Sequence, residues 1–269
     1  MSLTIDGKSL NQLGLALLPG FQHPAAQPIR DYTVSIPGRP GAYYFGSDID
    51  PLEFNLPLII KPQENRFELA TSIRKMVSTF IDHYGKPKIV KLIYDYEPDK
   101  YYLAQYSGSL PIDRYFRMGK FELPLIAYDP HAYSVVESTD EVLWGDDIPF
   151  MSDIILGRDN SSYSITEPQA LTVNNQGMQV VRPVIKINGS ANSLTLAING
   201  ESFSLGTFSN STFLIDAERY AATKSGQNFL LQLQGDLEKL ELSPGSNVIR
   251  IGGYNLNINI AFKYRAKYI

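Results

Sequence analysis

The sequence contains no cysteine. That excludes disulfides, thiol nucleophiles and thiolate metal sites, and leaves packing alone to hold the fold. Charge is also scarce, at 19% of the chain, against about 25% in an average globular protein. Two readings of that scarcity stand side by side: a surface destined to be buried against partners, and an ordinary β-rich protein. The net charge is −4 and no basic stripe is visible, so the footprint of a nucleic-acid binder is missing. A mildly acidic surface would suit a channel that DNA passes without sticking, and it suits any soluble protein equally well. No apolar run approaches the ~20 residues of a membrane-spanning helix, so no membrane insertion is expected. Leu13–Leu18 is too short for the core of a secretion signal, and Pro19-Gly20 interrupts it. The chain is therefore expected to be made in a cytoplasm and not anchored. The Asn-x-Ser/Thr triplets at Asn160, Asn188 and Asn210 then read as chance matches.

The chemical inventory is equally thin. The three histidines, His23, His83 and His131, are scattered, with no HExxH and no paired helical spacing. No GxSxG elbow and no phosphate-binding glycine loop occurs. Paired carboxylates, which glycosidases use, could come from Asp48 with Asp50 and Glu53, from Asp95 with Glu97 and Asp99, or from Asp146 with Asp147. Each group lies in a turn or linker, where acids serve solubility and Asx turns. Asp48-Ile-Asp50 lacks the glycine and the twelfth-position glutamate of an EF-hand loop. No catalytic residue, metal or cofactor is expected, and the chain reads as a non-enzyme.

What the sequence does have is apolar mass, 43% of its 269 residues, enough for one large or two ordinary domains. The pattern is mainly β. Tyr32–Ile36 alternates like a strand and runs into the turn Pro37-Gly-Arg-Pro-Gly41. Leu52–Ile60 alternates again, and Pro57 within it predicts an edge or a bulge, because proline donates no ladder hydrogen bond. One amphipathic helix is predicted over 65–84, with Leu69, Ile73, Met76, Val77, Phe80 and Ile81 on one stripe. Asn65 and Glu68 resemble a capping box, and Gly85 and Pro87 close the helix with His83 at its C-terminus. Lys88–Tyr94 and Tyr101–Ser107 read as a hairpin around the polar turn Asp95–Asp99, and Gly119–Tyr128 as a further strand.

From about Glu137 the texture changes. Residues 137–160, with the only tryptophan, Trp144, read as a linker or connecting arm. Beyond it, strands are expected at Val180–Ile187, Leu194–Ile198, Thr212–Ile215, Phe229–Leu233, Val248–Ile251 and Leu256–Phe262, with Asn188-Gly189, Asn199-Gly200 and Gly252-Gly253 as tight turns. Such a series describes a β-sandwich. The expected organisation is thus a β-domain with one helix over 1–136, an arm over 137–160 and a sandwich over 161–269. Tyrosines crowd two places: Tyr94, Tyr96, Tyr101, Tyr102 and Tyr106 in the hairpin, and Tyr43-Tyr44-Phe45 after the Pro-Gly turn. Interface anchoring and cross-strand packing both account for them.

The order of several segments resembles the siphophage distal tail proteins. These are Asp31–Ala42, Asp82–Lys88, Tyr94–Tyr102, Ala127–Tyr133, Arg182–Gly189 and Leu242–Ile249. The resemblance spans nearly the whole chain and rests on the ordered series rather than on one motif. It implies an N-terminal domain that assembles as a homohexameric ring and a galectin-like C-terminal sandwich. It also implies a place at the virion tail tip, joining the tail tube protein to a fibre or tail-associated lysin and to receptor-binding or baseplate proteins, with DNA passing through the lumen. Under that reading Pro37, Arg39, Tyr43, Tyr44 and Phe45 are expected to reach a neighbouring subunit, the aromatics as anchors and the arginine as a polar clamp. The alternative is a carbohydrate-binding module for host cell-wall recognition.

Overall fold

Period-two burial builds the first sheet. In Leu52–Ile60 every odd step inward is apolar: Leu52, Phe54, Leu56, Leu58 and Ile60 are all buried while the residues between them face outward. The computed structural model describes residues 2–142 and 160–269. The chain divides into two units, Met1–Ala132 together with Ile269, and Tyr133–Tyr268. The arm expected over 137–160, with Trp144, Asp146 and Asp147, falls largely outside the described residues.

The first unit runs β1 (Leu3–Ile5), β2 (Lys8–Ser9), β3 (Leu15–Leu17), β4 (Ile29–Val34), β5 (Tyr43–Ile49), β6 (Leu52–Ile60), α1 (Arg66–Phe80), β7 (Ile89–Tyr94), β8 (Glu97–Tyr106), β9 (Asp113–Tyr115) and β10 (Met118–Ala127). Its main sheet has the order β2-β1-β7-β8-β10-β6-β3, with β9 paired to β10 and with β4–β5 as a separate two-stranded sheet. β6 runs antiparallel to β10 from Leu52↔Ala127 to Ile60↔Gly119 without a bulge. Pro57 sits in this strand because its backbone faces away from β10. Its carbonyl accepts from Leu18 N at 2.8 Å, on the side where the three-residue β3 ends. The missing N–H therefore interrupts no long ladder.

Helix α1 lies against β6 and buries Leu69, Ile73, Met76 and Phe80, with Val77 and Ile81 half-buried at the margin of the stripe. Asn65 caps it, its Oδ1 accepting from Phe67 N at 2.9 Å and Glu68 N at 3.0 Å. The Glu68 carboxylate returns to Glu64 N rather than to the cap residue. The helix ends at Phe80, not at Tyr84 as the periodicity predicts. The Asp82 carboxylate accepts from both Tyr84 N and Lys86 N, and Ile81 bridges Pro87. This side-chain turn competes with continued helix, so His83 lies in a loop and not at a helix terminus. The hairpin β7–β8 is also tighter than expected: Tyr94 pairs with Glu97, leaving only Asp95-Tyr96 as the turn.

The second unit comprises most of β11 (Ala132–Ser134), then β12 (Ser162–Ile165), β13 (Gln169–Asn175), β14 (Val184–Ile198), β15 (Glu201–Asp216), β16 (Ala221–Lys224), β17 (Gln227–Asn228), a 3-10 turn at Leu237–Lys239, β18 (Gly245–Lys263) and β19 (Lys267–Tyr268). Its sheet has the order β12-β18-β14-β15-β16-β17, with β13 on β18, and β19 pairs with β11. Two very long strands, β14 and β18, each replace a pair of expected short ones, and β15 extends a single one. In β14 the buried positions are Ile185, Ile187 and Ala191, then Leu194, Leu196 and Ile198; the alternation changes phase midway. β18 does the same between Ile251 and Leu256. Irregular register marks these breaks and lets a strand bend while keeping its apolar side chains in one core.

Asn188-Gly189 and Gly252-Gly253 are therefore interruptions inside strands, not turns between them. Gly189 has φ +135°, and a Cβ there would fall 2.1 Å from the Asn257 carbonyl oxygen. Asn199-Gly200 is the expected hairpin turn, both residues at positive φ between Ile198 and Glu201. Phe229–Leu233 is not a strand; it forms turns whose Phe229 and Leu233 still contribute to the core. At Leu242–Ile249, Asn247 is buried and organises the approach to β18, its Oδ1 accepting from Ser243 N and its Nδ2 donating to the carbonyls of Ser243 and Gly245. The protein is mainly β, with one α-helix among the described residues.

Candidate assembly interface

Two aromatic groups were visible in the sequence, and the structure separates them. Tyr94, Tyr101 and Tyr102 are buried, so packing within the sheet accounts for them. They border a cluster that the sequence did not reveal, in which His23 is surrounded by rings. Its centroid lies 4.7 Å from that of Tyr94, 5.6 Å from Tyr102, 5.7 Å from Tyr96 and 6.0 Å from Phe54. Burial holds the imidazole below its ordinary pKa, against a weaker opposing pull from Glu97. Burial likewise raises the Tyr94 phenol and pushes that of Tyr102, with help from Glu97, up to about 12. His23 Nε2 and Tyr94 Oη have no hydrogen-bond partner among the described residues. The cluster is a piece of core with two polar atoms in it.

The second group is entirely different. Among the described residues β4 and β5 pair only with each other, and neither has a buried residue. Ile29 is 68% exposed, Tyr44 62% and Phe45 70%, and Tyr32, Val34, Tyr43 and Ile49 are also exposed. Pro37, Arg39 and the rest of the tip are exposed as well. The base is fastened by Asp50 N to the Pro28 carbonyl at 2.9 Å and by Gln27 Nε2 to the Pro130 carbonyl at 3.1 Å.

Local bonds make this hairpin stiff without covering it. Arg30 pairs with Asp50, Tyr32 Oη donates to Asp48 at 2.8 Å, and Tyr44 Oη donates to Ser47 Oγ at 2.9 Å. These bonds raise the pKa of the Arg30 guanidinium and of the Tyr32 phenol. At the tip the Arg39 guanidinium stacks 4.2 Å from the Tyr43 ring centre, and Arg39 N donates to the Ile36 carbonyl. Opposite Tyr32 the pairing slips by one residue, placing an extra residue in β5 at Phe45-Gly46. Gly46 takes φ +116° there, and Phe45 beside it is exposed. Of the sequence-predicted interface residues, the structure brings Arg39 and Tyr43 together, and all five lie on one exposed hairpin.

Among the described residues most of these acids are held by local partners. Asp48 and Asp50 bind Tyr32 and Arg30, and Asp95 accepts from Ser2 N at 2.6 Å. Glu97 and Asp99 share Lys100, and Asp129 engages His131 Nδ1 at 2.5 Å. Among the described residues no group of three or more His, Asp or Glu side chains could hold a metal ion.

Residues 8–127, which include the hairpin, the helix and most of the first sheet, match the model of the phage tail protein RIFT-related domain. That stretch of the first unit is therefore similar to a phage tail protein domain. Over its full length the chain is similar to the Dit protein (gp 19.1) of phage SPP1, described as a paradigm of the hub adsorption apparatus in phages infecting Gram-positive bacteria; the match has a TM-score of 0.70, 14% identity, and covers 100% of this chain and 99% of that one. A second match, to the phage P2 baseplate in its activated conformation, has a TM-score of 0.44 and 12% identity with the same coverage. No curated protein sequence matches. The phage tail domain and the Dit fold bear out the resemblance and the mainly-β fold read from the sequence.

Proposed function

We propose that the chain is a structural, non-enzymatic protein of a siphophage tail tip. Copies close into a homohexameric ring that joins the tail tube to a fibre or tail-associated lysin and to receptor-binding or baseplate proteins, and DNA passes through its lumen. The observation that carries this reading is the β4–β5 hairpin. It is fastened at its base and held by its own bonds, yet its large apolar side chains stay exposed among the described residues. A lone two-stranded hairpin is marginal in water, and an exposed apolar patch on a stiff element marks an interaction surface. The tail-domain match supplies the setting, and the net charge of −4 is compatible in sign with a lumen that DNA passes.

The test is mass in solution. Light scattering over a wide concentration range, with negative-stain images, should give a species near six times 30.1 kDa with a central hole. A strict monomer at every concentration, with and without tail tube protein, would overturn the ring.

A further inference from the structure

A closed ring of identical copies needs two different surfaces on each copy, one fitting the other. The hairpin is one of them. Resting on the ring reading, we infer that the other is the groove between α1 and the segment joining β8 to β10, and that its occupant is the hairpin of a second copy.

The groove encloses about 290 Å³. Ile73 and Val77 of α1, with Ile81 just past its end, line one side, Leu110 and Ile112 the other, and the exposed Arg114 borders it. It is thus an apolar slot with a cation at its mouth. Its floor reaches the core through Phe80 and Leu123, so a ring entering it would be desolvated on several sides, the setting in which aromatic anchors contribute most. The hairpin offers suitable groups, since Tyr44 and Phe45 protrude beside the bulge.

Charge agrees in sign. The hairpin segment carries Asp31, Asp48 and Asp50 against Arg30 and Arg39, and Arg30 is already paired with Asp50. The groove presents Arg114 and, on the same flank of α1 as Val77 and Ile81, the exposed Arg74. A hairpin with one net negative charge, three aspartates against two arginines, meets an apolar slot bordered by Arg114. Beside the slot, β9 pairs among the described residues with β10 alone, leaving an open edge to which an incoming strand can bond. Tyr115 and Phe116, at 56% and 87% exposure, extend the apolar surface there.

The absence of cysteine makes a direct test possible, because any introduced thiol is unique. Ala42→Cys marks the hairpin tip without removing an anchor, Ser109→Cys marks the groove rim, and Tyr254→Cys, 76% exposed in the second unit, is the control. Two singly substituted proteins are mixed, allowed to assemble, and treated with a short bismaleimide. Covalent dimers are expected between Ala42→Cys and Ser109→Cys and not between Ala42→Cys and Tyr254→Cys. Adding Val77→Arg to the groove copy should reduce the dimer yield at least tenfold, with calorimetry verifying that this variant is folded. Rings that form without the hairpin–groove cross-link would overturn the groove assignment and leave the ring standing. Absence of both rings and cross-links, even with tail tube protein present, would overturn the ring reading and the groove with it.

Discussion

Replacing Tyr43, Tyr44 and Phe45 together by serine should separate folding from assembly. The three residues are 43%, 62% and 70% exposed, so together they leave roughly one and three-quarter aromatic residues uncovered. At ~150–250 Å² per aromatic side chain and ~25 cal/mol per Å², covering that surface has an upper bound of roughly 7–11 kcal/mol per interface. Association and side-chain ordering consume most of such a gain. If about 2–3 kcal/mol survives, the pairwise dissociation constant weakens roughly 30- to 150-fold, and a closed ring loses this at every interface. The monomer has little to lose. Its contacts at these positions are the Arg39–Tyr43 stack, the Tyr44–Ser47 hydrogen bond and cross-strand pairs on a hairpin without buried residues, worth about 1 kcal/mol together. The assay is sedimentation for mass alongside calorimetry for the melting temperature. Unchanged rings would refute the anchor role. Loss of rings accompanied by a fall of many degrees in melting temperature would show that these side chains belong to a core and that their exposure has been misjudged.

Three further outcomes follow from the geometry. Phe80→Ala, at a site 2% exposed beneath α1, should cost about 3–5 kcal/mol in denaturant unfolding; a loss below 1 kcal/mol would place the helix off the core. Gly189→Ala must either leave φ +135° or press its Cβ against the Asn257 carbonyl, so destabilisation of at least ~2–3 kcal/mol is expected, and a neutral result would deny the close approach of β14 and β18. Because the folded pKa of His23 lies below its unfolded value of ~6.5, the unfolded chain takes up the proton first as pH falls. Stability should therefore decline from about pH 6.5 downward and level off below the folded pKa. His23→Phe should flatten that part of the stability–pH curve, and an unchanged slope would assign it to other groups.

How far the sequence disclosed this fold depended on whether a pattern kept its phase. Leu52–Ile60 alternates without interruption, and its bounds are readable to the residue. The helical stripe of Leu69, Ile73, Met76 and Phe80 is equally legible, because burial and period coincide. Its end is not, since the two backbone bonds made by Asp82 leave no periodic trace. The second unit misleads for a sharper reason. When β14 changes phase between Ala191 and Leu194, a reader of alternation sees two strands and takes the glycine between them for a turn. Both a turn and a bulge call for glycine at positive φ, and only the distance from Gly189 to Asn257, which lies far along the chain, tells them apart.

The hairpin poses the converse problem. Ile29, Tyr32, Val34, Tyr43 and Ile49 have the composition of core strands, and in isolation nothing in them distinguishes burial in this chain from burial in another. The structure decides that they are not buried here, while the Arg30–Asp50 pair and the Tyr32–Asp48 bond hold them in strand form. Those polar bonds have a further consequence. A hairpin kept in shape by its own side chains loses little conformational freedom when it docks, so more of its apolar contact survives as affinity. Breaking the pair with Asp50→Ala should therefore weaken assembly even though Asp50 need touch no partner. The loss should be recovered in part by a disulfide across the non-slipped pair Ile29↔Ile49, introduced as Ile29→Cys with Ile49→Cys. Sedimentation of the two variants side by side checks this. If the cross-linked form assembles no better than Asp50→Ala alone, preorganisation is not what the pair contributes, and Asp50 acts through a contact of its own.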